Sequence, residues 1–192
     1  QGWIPLNDDD VTDAPIASPT QKAIMGYGYA GGSVSMTNLV NSSGVVATDV
    51  TGVGTARNNL GAANYGVDKA IFGYGHDDSS GVSMTNLVTN AGVVGTDVTG
   101  VGTTRSALAA AGYGLDKAIF AYGYSGGDVS MSNLVSNVGV VSADVSGVGT
   151  VRTDVGGAGY GSSGQAIFGY GNEGGGTRSS ITNLVSNSGV VA

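Results

Sequence analysis

The sequence predicts an all-β protein built as a four-bladed β-propeller, and three observations lead to this prediction. One seven-residue phrase occurs four times, as KAIMGYG at 22–28, KAIFGYG at 69–75, KAIFAYG at 117–123 and QAIFGYG at 165–171. Glycine, with 36 copies in 192 residues, interrupts every unit at short intervals, and a glycine inside a helix costs roughly 1 kcal/mol relative to alanine. The runs between glycines are short and β-branched. Four short strands in each unit of about 48 residues are typical of a propeller blade.

The second unit illustrates the four predicted antiparallel strands. They are LGAANY at 60–65, KAIFGY at 69–74, SMTNLV at 83–88 and VVGTDV at 93–98. The tight turn GVD joins the first two strands, a loop that varies between units joins the next two, and the turn TNAG joins the last two. The linker TGVGTTR then opens the following unit. We expect the LGAANY-type strands to line the axis and the VVGTDV-type strands to lie outermost.

The phase of the repeats predicts how a ring would close within a single domain, residues 1–192. The segments are a closing segment 1–21, complete repeats 22–68, 69–116 and 117–164, and an incomplete repeat 165–192. The segment 1–21 before Lys22 equals in length the segment 48–68 that separates Ala47 from Lys69. We therefore expect residues 1–21 to complete the fourth blade, because closure hides strand edges.

Closure makes a specific prediction about the termini: Gln1–Leu6 should lie beside Ser188–Ala192, with Trp3 partly buried against the fourth blade. Two alternatives stay open. The incomplete unit could mark the boundary of an excised fragment, or half-units could pair between molecules by strand exchange and form an oligomer or filament. The first residue, Gln1 rather than Met, is consistent with either a removed leader or a fragment.

The order of motifs within a unit resembles a kelch repeat. The pattern runs R-x-x-L-x-A-A at 57–63, KAIFGYG at 69–75, and then a strand that ends at an N-x-x-G turn. Two features depart from the kelch pattern. A tyrosine splits the double glycine, and valines stand near the position of the fourth-strand Trp; these residues are Tyr27, Tyr74, Tyr122 and Tyr170, and Val45, Val93, Val140 and Val190. Repeats of this Gly/Ala/Val/Thr-rich composition also resemble those of bacteriophage tail and fibre proteins, and this resemblance implies a location on a virion.

Composition excludes several classes of function. The net charge of −7 disfavours nucleic acid as a partner. One His and no Cys leave few candidates for a nucleophile–base pair, so we expect no enzyme and no cofactor. His76-Asp77-Asp78 and the run Asn7–Asp10 offer oxygen ligands without the spacing of an EF-hand, so no metal site is predicted. No apolar run approaches the roughly 20 residues of a membrane span.

The candidate binding residues lie where otherwise similar units differ. They fall in the loops after the second strand, read YAGGS at 29–33, HDDSS at 76–80, YSGGD at 124–128 and NEGGGTR at 172–178. All four loops should project from one end of a rigid scaffold, where binding residues are often found. The candidates are Tyr29, His76, Asp77, Asp78, Tyr124, Asp128, Asn172, Glu173 and Arg178.

Two sets of repeated residues are predicted to be structural. Arg57, Arg105 and Arg152 each follow an aspartate at the same spacing, the aspartates being Asp49, Asp97 and Asp144. This spacing suggests an Asp–Arg pair that ties each linker to its own blade. The GYG tyrosines are expected to pack in the core.

The predicted function is that of a non-enzymatic virion or extracellular β-propeller that acts in structure or in attachment to a surface receptor, with a glycan as one candidate ligand. The expected partners are other virion or surface proteins. The alternative is a subunit that self-assembles into a fibre by strand exchange.

Overall fold

The computed structural model describes residues 22–192, and these residues form eleven β-strands and no helix. The strands are β1 (Ala23–Tyr29), β2 (Ser33–Val40), β3 (Gly61–Tyr65), β4 (Lys69–Gly73), β5 (Thr85–Val88), β6 (Ala109–Tyr113), β7 (Lys117–Ala121), β8 (Ser132–Val135), β9 (Gly156–Tyr160), β10 (Gln165–Gly169) and β11 (Thr182–Val185). They make four separate antiparallel sheets, β1–β2, β3–β4–β5, β6–β7–β8 and β9–β10–β11, which we call blades 1 to 4. The predicted all-β fold of four repeated blades is confirmed.

The turn between the first two strands of a blade is as tight as GVD predicts. Tyr65 pairs with Lys69, so only three residues reverse the chain between β3 and β4. Gly66 and Val67 both adopt left-handed conformations, with φ of 57° and 73°. Glycine takes this conformation without strain, whereas a β-branched valine does so only when the hairpin around it imposes it.

The fourth strand is the one element that differs from the prediction. Residues 93–98 touch β5 only at two isolated bridges, Val88 to Val94 and Thr85 to Val98. Between the bridges, the Gly95 carbonyl accepts from the Asn86 side chain rather than from a ladder amide. The Asp97 carboxylate binds the preceding linker. Side chains thus take the place of a regular backbone ladder along the outer edge of each blade.

The core lies between blades rather than within them. Each blade has a front face, which in blade 2 carries Tyr65, Ile71 and Leu87, and a back face, which in blade 2 carries Phe72 and Val88. The three buried apolar clusters each combine the front face of one blade with the back face of the next. The first strands β3, β6 and β9 lie beside one another in series, as expected for strands that line an axis.

A phenylalanine from each of blades 2, 3 and 4 inserts into a socket on the front face of the preceding blade. The Phe120 ring lies 5.2 Å, centroid to centroid, from the ring of Tyr74, edge to face. A Cβ added to Gly61 or Gly73 would stand 2.9 or 2.7 Å from that phenyl ring. The glycines therefore form the floor of the socket because any side chain there would displace the ring. Burial raises the pKa of Tyr74 to about 12, and its hydroxyl donates to the Val101 carbonyl.

In blade 3 the floor of the socket is Ala109 and Ala121 instead of glycine, and the next ring sits slightly farther out. The centroid distance from Tyr122 to Phe168 is 5.7 Å, compared with 5.2 Å for the Tyr27–Phe72 pair in the first socket. Two added methyl groups account for this shift. The predicted packing role of the GYG tyrosines is confirmed for the three that face another blade.

A buried arginine in the linker holds each pair of neighbouring blades together, and we call its set of contacts the arginine lock. Its hydrogen-bonding partners differ from the aspartate predicted from the sequence. Arg57 lies in the linker after blade 1 and is fully buried over the Tyr27 ring, 4.5 Å from its centroid. Its Nη2 donates to Asn86 Oδ1 at 2.7 Å, and Nη1 lies 3.5 Å from Asp97 Oδ1, both in blade 2. Thr55 of the same linker donates to Asp97 through its amide and its hydroxyl.

The same lock joins blade 2 to blade 3, since Arg105 contacts Tyr74 and Asn133, with Asp144 as its acidic partner. The predicted pairing of each arginine with the aspartate that closely precedes it is therefore wrong. For Arg57 and Arg105 the acidic partner lies one blade further along, because the linker crosses to the next blade before its arginine turns inward. Arg152 donates to Asn183 and to backbone carbonyls of blade 4 instead.

The closing segment 1–21, including Gln1–Leu6, Trp3 and the Asn7–Asp10 run, lies outside the described residues. Within residues 22–192, no helix is long and apolar enough to cross a membrane.

Candidate functional site

Three of the four variable loops, those of blades 2, 3 and 4, are anchored by backbone bridges at matched positions. Tyr124 pairs with Ser106 of the preceding linker and with Asp128 at the end of its own loop. His76 and Asn172 make the equivalent pairs of bridges in blades 2 and 4. Each of these loops therefore begins at a residue whose backbone is held on both sides, so the side chain at that position is presented from a fixed point.

Neighbouring loops touch one another, which places them at the same end of the blades. Ser33 of the first loop donates to Asp78 of the second through its amide at 2.7 Å and its hydroxyl at 2.8 Å. The Asn58 side-chain amide joins the same group by donating to Ser33 Oγ. Between the last two loops, Asp128 Oδ2 lies 3.4 Å from the point where a Cβ on Gly174 would stand.

Two exposed aromatic side chains at this end are tyrosines at matched positions. Tyr29 is 69% exposed and Tyr124 is 49% exposed. In blades 2 and 4 the same position holds His76 and Asn172, which are half-buried. The loop end thus presents the series Tyr, His, Tyr, Asn at matched positions of the four blades. Exposed aromatic rings and polar side chains in this arrangement suit a ligand with both apolar faces and hydrogen-bonding groups.

Of the two carboxylates of the second loop, Asp77 holds the loop itself and Asp78 ties it to the first loop. Asp77 accepts from the Ser79 hydroxyl and from the amides of Ser79 and Ser80, and these bonds lower its pKa to about 2. The Asp78 amide donates to His76 Nδ1, and its carboxylate is engaged by Ser33. These acids fix the conformation of the site, so a ligand would meet them as a rigid negative surface.

The fourth loop is organised around Asn172. Its side-chain amide donates to Asp154 Oδ2 at 2.8 Å, and its side-chain oxygen accepts from Arg178. The Glu173 backbone amide donates to the Thr177 carbonyl, and the residue is half-buried. The candidate positive charge of this loop, Arg178, is therefore held beside Asn172 at the base of the loop. Among residues 22–192, no group of three or more His, Asp or Glu side chains is arranged to hold a metal ion.

Comparison with known proteins gives a match in structure but not in sequence. No protein-family model matches the chain, and no curated protein matches its sequence. A search of solved structures finds similarity to YjhT, a protein with a β-propeller-like fold, at a TM-score of 0.60 and 12% sequence identity. The match covers 82% of this chain and 50% of YjhT, so the chain spans about half the length of that neighbour. At this identity the likeness concerns the fold alone.

Proposed function

We propose that this protein is a non-enzymatic attachment module on the outside of a virion or a cell, and that its loop end binds a surface receptor, with a glycan as the preferred ligand class. The observation that carries the proposal is the contrast between scaffold and loops. The repeated core residues are nearly the same in all units, whereas the position that begins each loop changes from Tyr29 to His76, Tyr124 and Asn172.

The chemistry of the loop end supports a sugar rather than a strongly charged ligand. The rings of Tyr29 and Tyr124 can stack on the apolar face of a pyranose, and the serine, asparagine and carboxylate groups nearby can bond its hydroxyls. The net charge of −7 works against nucleic acid. The resemblance of the repeats to phage tail and fibre proteins supports the virion as the location.

A glycan array probed with the labelled full chain tests the attachment function. We expect binding to a restricted set of glycans, and we expect Tyr29→Ala and Tyr124→Ala each to weaken it about five- to tenfold, since one aromatic contact contributes on the order of 1 kcal/mol. Leu115→Ala is the matched control, because Leu115 is also a large exposed side chain but lies in the β6–β7 turn at the opposite end.

Mass spectrometry of purified particles and of the extracellular fraction tests the location. Absence of the protein from both, together with an array on which no glycan is bound, would contradict the proposal. Binding that survives both tyrosine substitutions but is lost in Leu115→Ala would move the site to the other end of the blades.

A further inference from the structure

The first and second loops are joined by side-chain hydrogen bonds, and within residues 22–192 no other pair of variable loops is joined in this way. The Asp78 carboxylate accepts from the Ser33 amide at 2.7 Å and from the Ser33 hydroxyl at 2.8 Å. Asn58 of the intervening linker donates to Ser33 Oγ and to Asp78 Oδ1. We call this set of bonds among Ser33, Asn58 and Asp78 the loop clasp.

The loop clasp supports the position of Tyr29. Tyr29 and Ser33 pair across the end of the β1–β2 hairpin, and the residues between them are Ala30, Gly31 and Gly32. Because two of these three residues are glycine, the hairpin tip has little stiffness of its own. The bonds from Ser33 to the second loop therefore hold the strand end from which the Tyr29 ring projects.

The conformation of Asp78 depends in turn on the imidazole of His76. Asp78 has a left-handed φ of 72°, which is uncommon for residues other than glycine. Its amide donates to His76 Nδ1 at 3.1 Å. A backbone amide can only donate, so Nδ1 carries no proton and the proton of the ring is on Nε2. The closed clasp therefore requires a neutral imidazole.

Protonation of His76 is incompatible with this bond. Both ring nitrogens of an imidazolium carry hydrogen, so Nδ1–H would point at the N–H of Asp78. The nearby carboxylates are already engaged, since Asp77 accepts from Ser79 and Ser80, and both oxygens of Asp78 accept from the clasp. An imidazolium would thus repel the Asp78 amide and attract its carboxylate out of the clasp.

The other charged groups around the second loop do not titrate between about pH 5 and pH 7. His76 is the only histidine among the 192 residues, and an unperturbed imidazole titrates near pH 6.5. Hydrogen bonds from serine residues lower the pKa of Asp77 to about 2 and also lower the pKa of Asp78. The linkers on either side of the loop contribute Arg57 and Arg105, which are fully buried and face the core.

We propose that His76 is a pH-sensitive positioning residue of the loop end. When its imidazole is neutral, the clasp is closed and Tyr29 is held in place. When the imidazole is protonated, the Asp78 amide is released, the clasp opens, and the first loop separates from the second. A receptor would thus be bound at neutral pH and released in mild acid. The opening of the clasp is a property of the two loops, and only its effect on receptor binding rests on the attachment function proposed above.

Two substitutions separate the hydrogen-bond acceptor from the titration. His76→Asn retains an acceptor, because an asparagine oxygen bonds the amide two residues further on in an Asx turn, and it does not titrate. Asparagine is also the natural residue at the matched position of blade 4, Asn172. His76→Phe keeps a ring and removes the acceptor.

Thr55 provides an internal control for the clasp. Its amide and its hydroxyl both donate to the Asp97 carboxylate, at 2.9 Å and 2.7 Å, as those of Ser33 do to Asp78. No histidine is bonded to this aspartate among the described residues, so the pair has the chemistry of the clasp without its pH-sensitive element.

NMR spectroscopy of the full chain between about pH 7.5 and about pH 5 tests the proposal. The Ser33 amide proton should move upfield with the same midpoint as the His76 ring signals, because it loses its bond to a carboxylate. The Tyr29 ring signals should shift together with it, whereas the Thr55 amide should not move. In His76→Asn the Ser33 and Tyr29 signals should stay constant, and in His76→Phe they should resemble the acid form throughout.

A second measurement uses a glycan that the array shows to be bound at neutral pH. The wild type should bind it up to about five- to tenfold more weakly in mild acid, which is the loss expected for Tyr29→Ala. His76→Asn should bind it equally at both pH values.

The outcomes distinguish the clasp from the attachment function. A Ser33 amide that stays constant while His76 titrates, or one that moves equally in His76→Asn, would overturn the proposal. A clasp that opens without changing the affinity for the glycan would overturn the positioning of Tyr29. An array on which no glycan is bound would contradict the attachment function, and the Tyr29 ring signals would then decide the positioning role.

Discussion

In blade 3 the ring of Tyr122 is fully buried beneath Phe168 and Arg152, whereas in blade 4 the equivalent Tyr170 is largely exposed. The two blades have nearly the same strand sequences and the same internal register. Among the described residues, a further blade packs on the front face of blade 3 and none packs on that of blade 4. A single blade is therefore an incomplete unit, since its apolar faces become a core only when two blades meet.

This dependence follows from the size of the strands. A blade of four- and five-residue strands has little interior of its own, and each apolar cluster here takes residues from two blades. Repeat proteins generally derive their stability from such nearest-neighbour interfaces. Identical substitutions at matched positions should therefore have very different effects in the middle and at the ends of the series.

The largest difference is expected at the socket residue. Phe120→Ala should destabilise the protein by about 4 kcal/mol, because it empties a fully buried site between blades 2 and 3. Met25→Ala, at the same register in blade 1, should cost less than about 1 kcal/mol at low protein concentration, since Met25 is half exposed. Urea unfolding at about 1 µM measures both. Equal losses would show that blade 1 is covered in the folded monomer.

A second difference is expected at the acidic partner of the arginine lock. Asp97→Asn should destabilise by about 1–3 kcal/mol, because Asp97 accepts bonds from Thr55 and Asn86 and faces the buried Arg57. Asp49 is the equivalent residue in blade 1, where it accepts a hydrogen bond from the Asn38 side chain. Asp49→Asn should change the free energy of unfolding by less than about 0.5 kcal/mol. Thermal unfolding of the two variants side by side makes the measurement. A large loss for Asp49→Asn would reveal a cation bound to that pair.

The smallest expected effect is a loss of stability at low pH. Partial burial acts to raise the pKa of Asp97, but hydrogen bonds from Thr55 and Asn86 and the charge of Arg57 outweigh it, so the pKa lies below its ordinary value. Asp144 behaves in the same way with Thr103, Asn133 and Arg105.

A carboxylate with a lowered folded-state pKa stabilises the fold above its unfolded value of about 4, and this contribution is lost as the pH falls through the folded value. The midpoint temperature of thermal unfolding should therefore decrease once the pH is lowered below about 4. It should fall less steeply in Asp97→Asn, whereas an identical slope in wild type and variant would assign the acid response to other groups.

The period and the hairpins could be predicted from the sequence because they depend on local patterns. Turn glycines and short β-branched runs define β3 and β4 almost to the residue. The fourth strand could not be predicted correctly. VVGTDV has the composition of a strand, but the Gly95 carbonyl and the Asp97 side chain bond to Asn86 and to a neighbouring linker instead of extending the ladder.

The acidic partner of Arg57 could not be predicted because an aspartate recurs in every repeat, so the arginine has one on either side in the sequence. Asp49 lies shortly before Arg57 in the sequence, and Asp97 lies 40 residues after it. Arg105 faces the same choice between a preceding and a following aspartate, and only the path of the linker between blades decides it. In the loops, sequence variation identified the end of the molecule where Tyr29 and Tyr124 are exposed, but not that Asp77 is used to fix its own loop.

The arginine lock also has a consequence for the order in which the chain is made. Arg57 leaves the ribosome 40 residues before Asp97, the group that completes its site. At roughly 5–20 residues per second, translation takes about two to eight seconds to cover that interval. During that time the guanidinium and the ring of Tyr27 are displayed on the nascent chain without their acidic partner. The order of synthesis therefore favours assembly from the amino-terminal blade to the carboxy-terminal one, because each new blade supplies the groups that complete the interface of the blade before it.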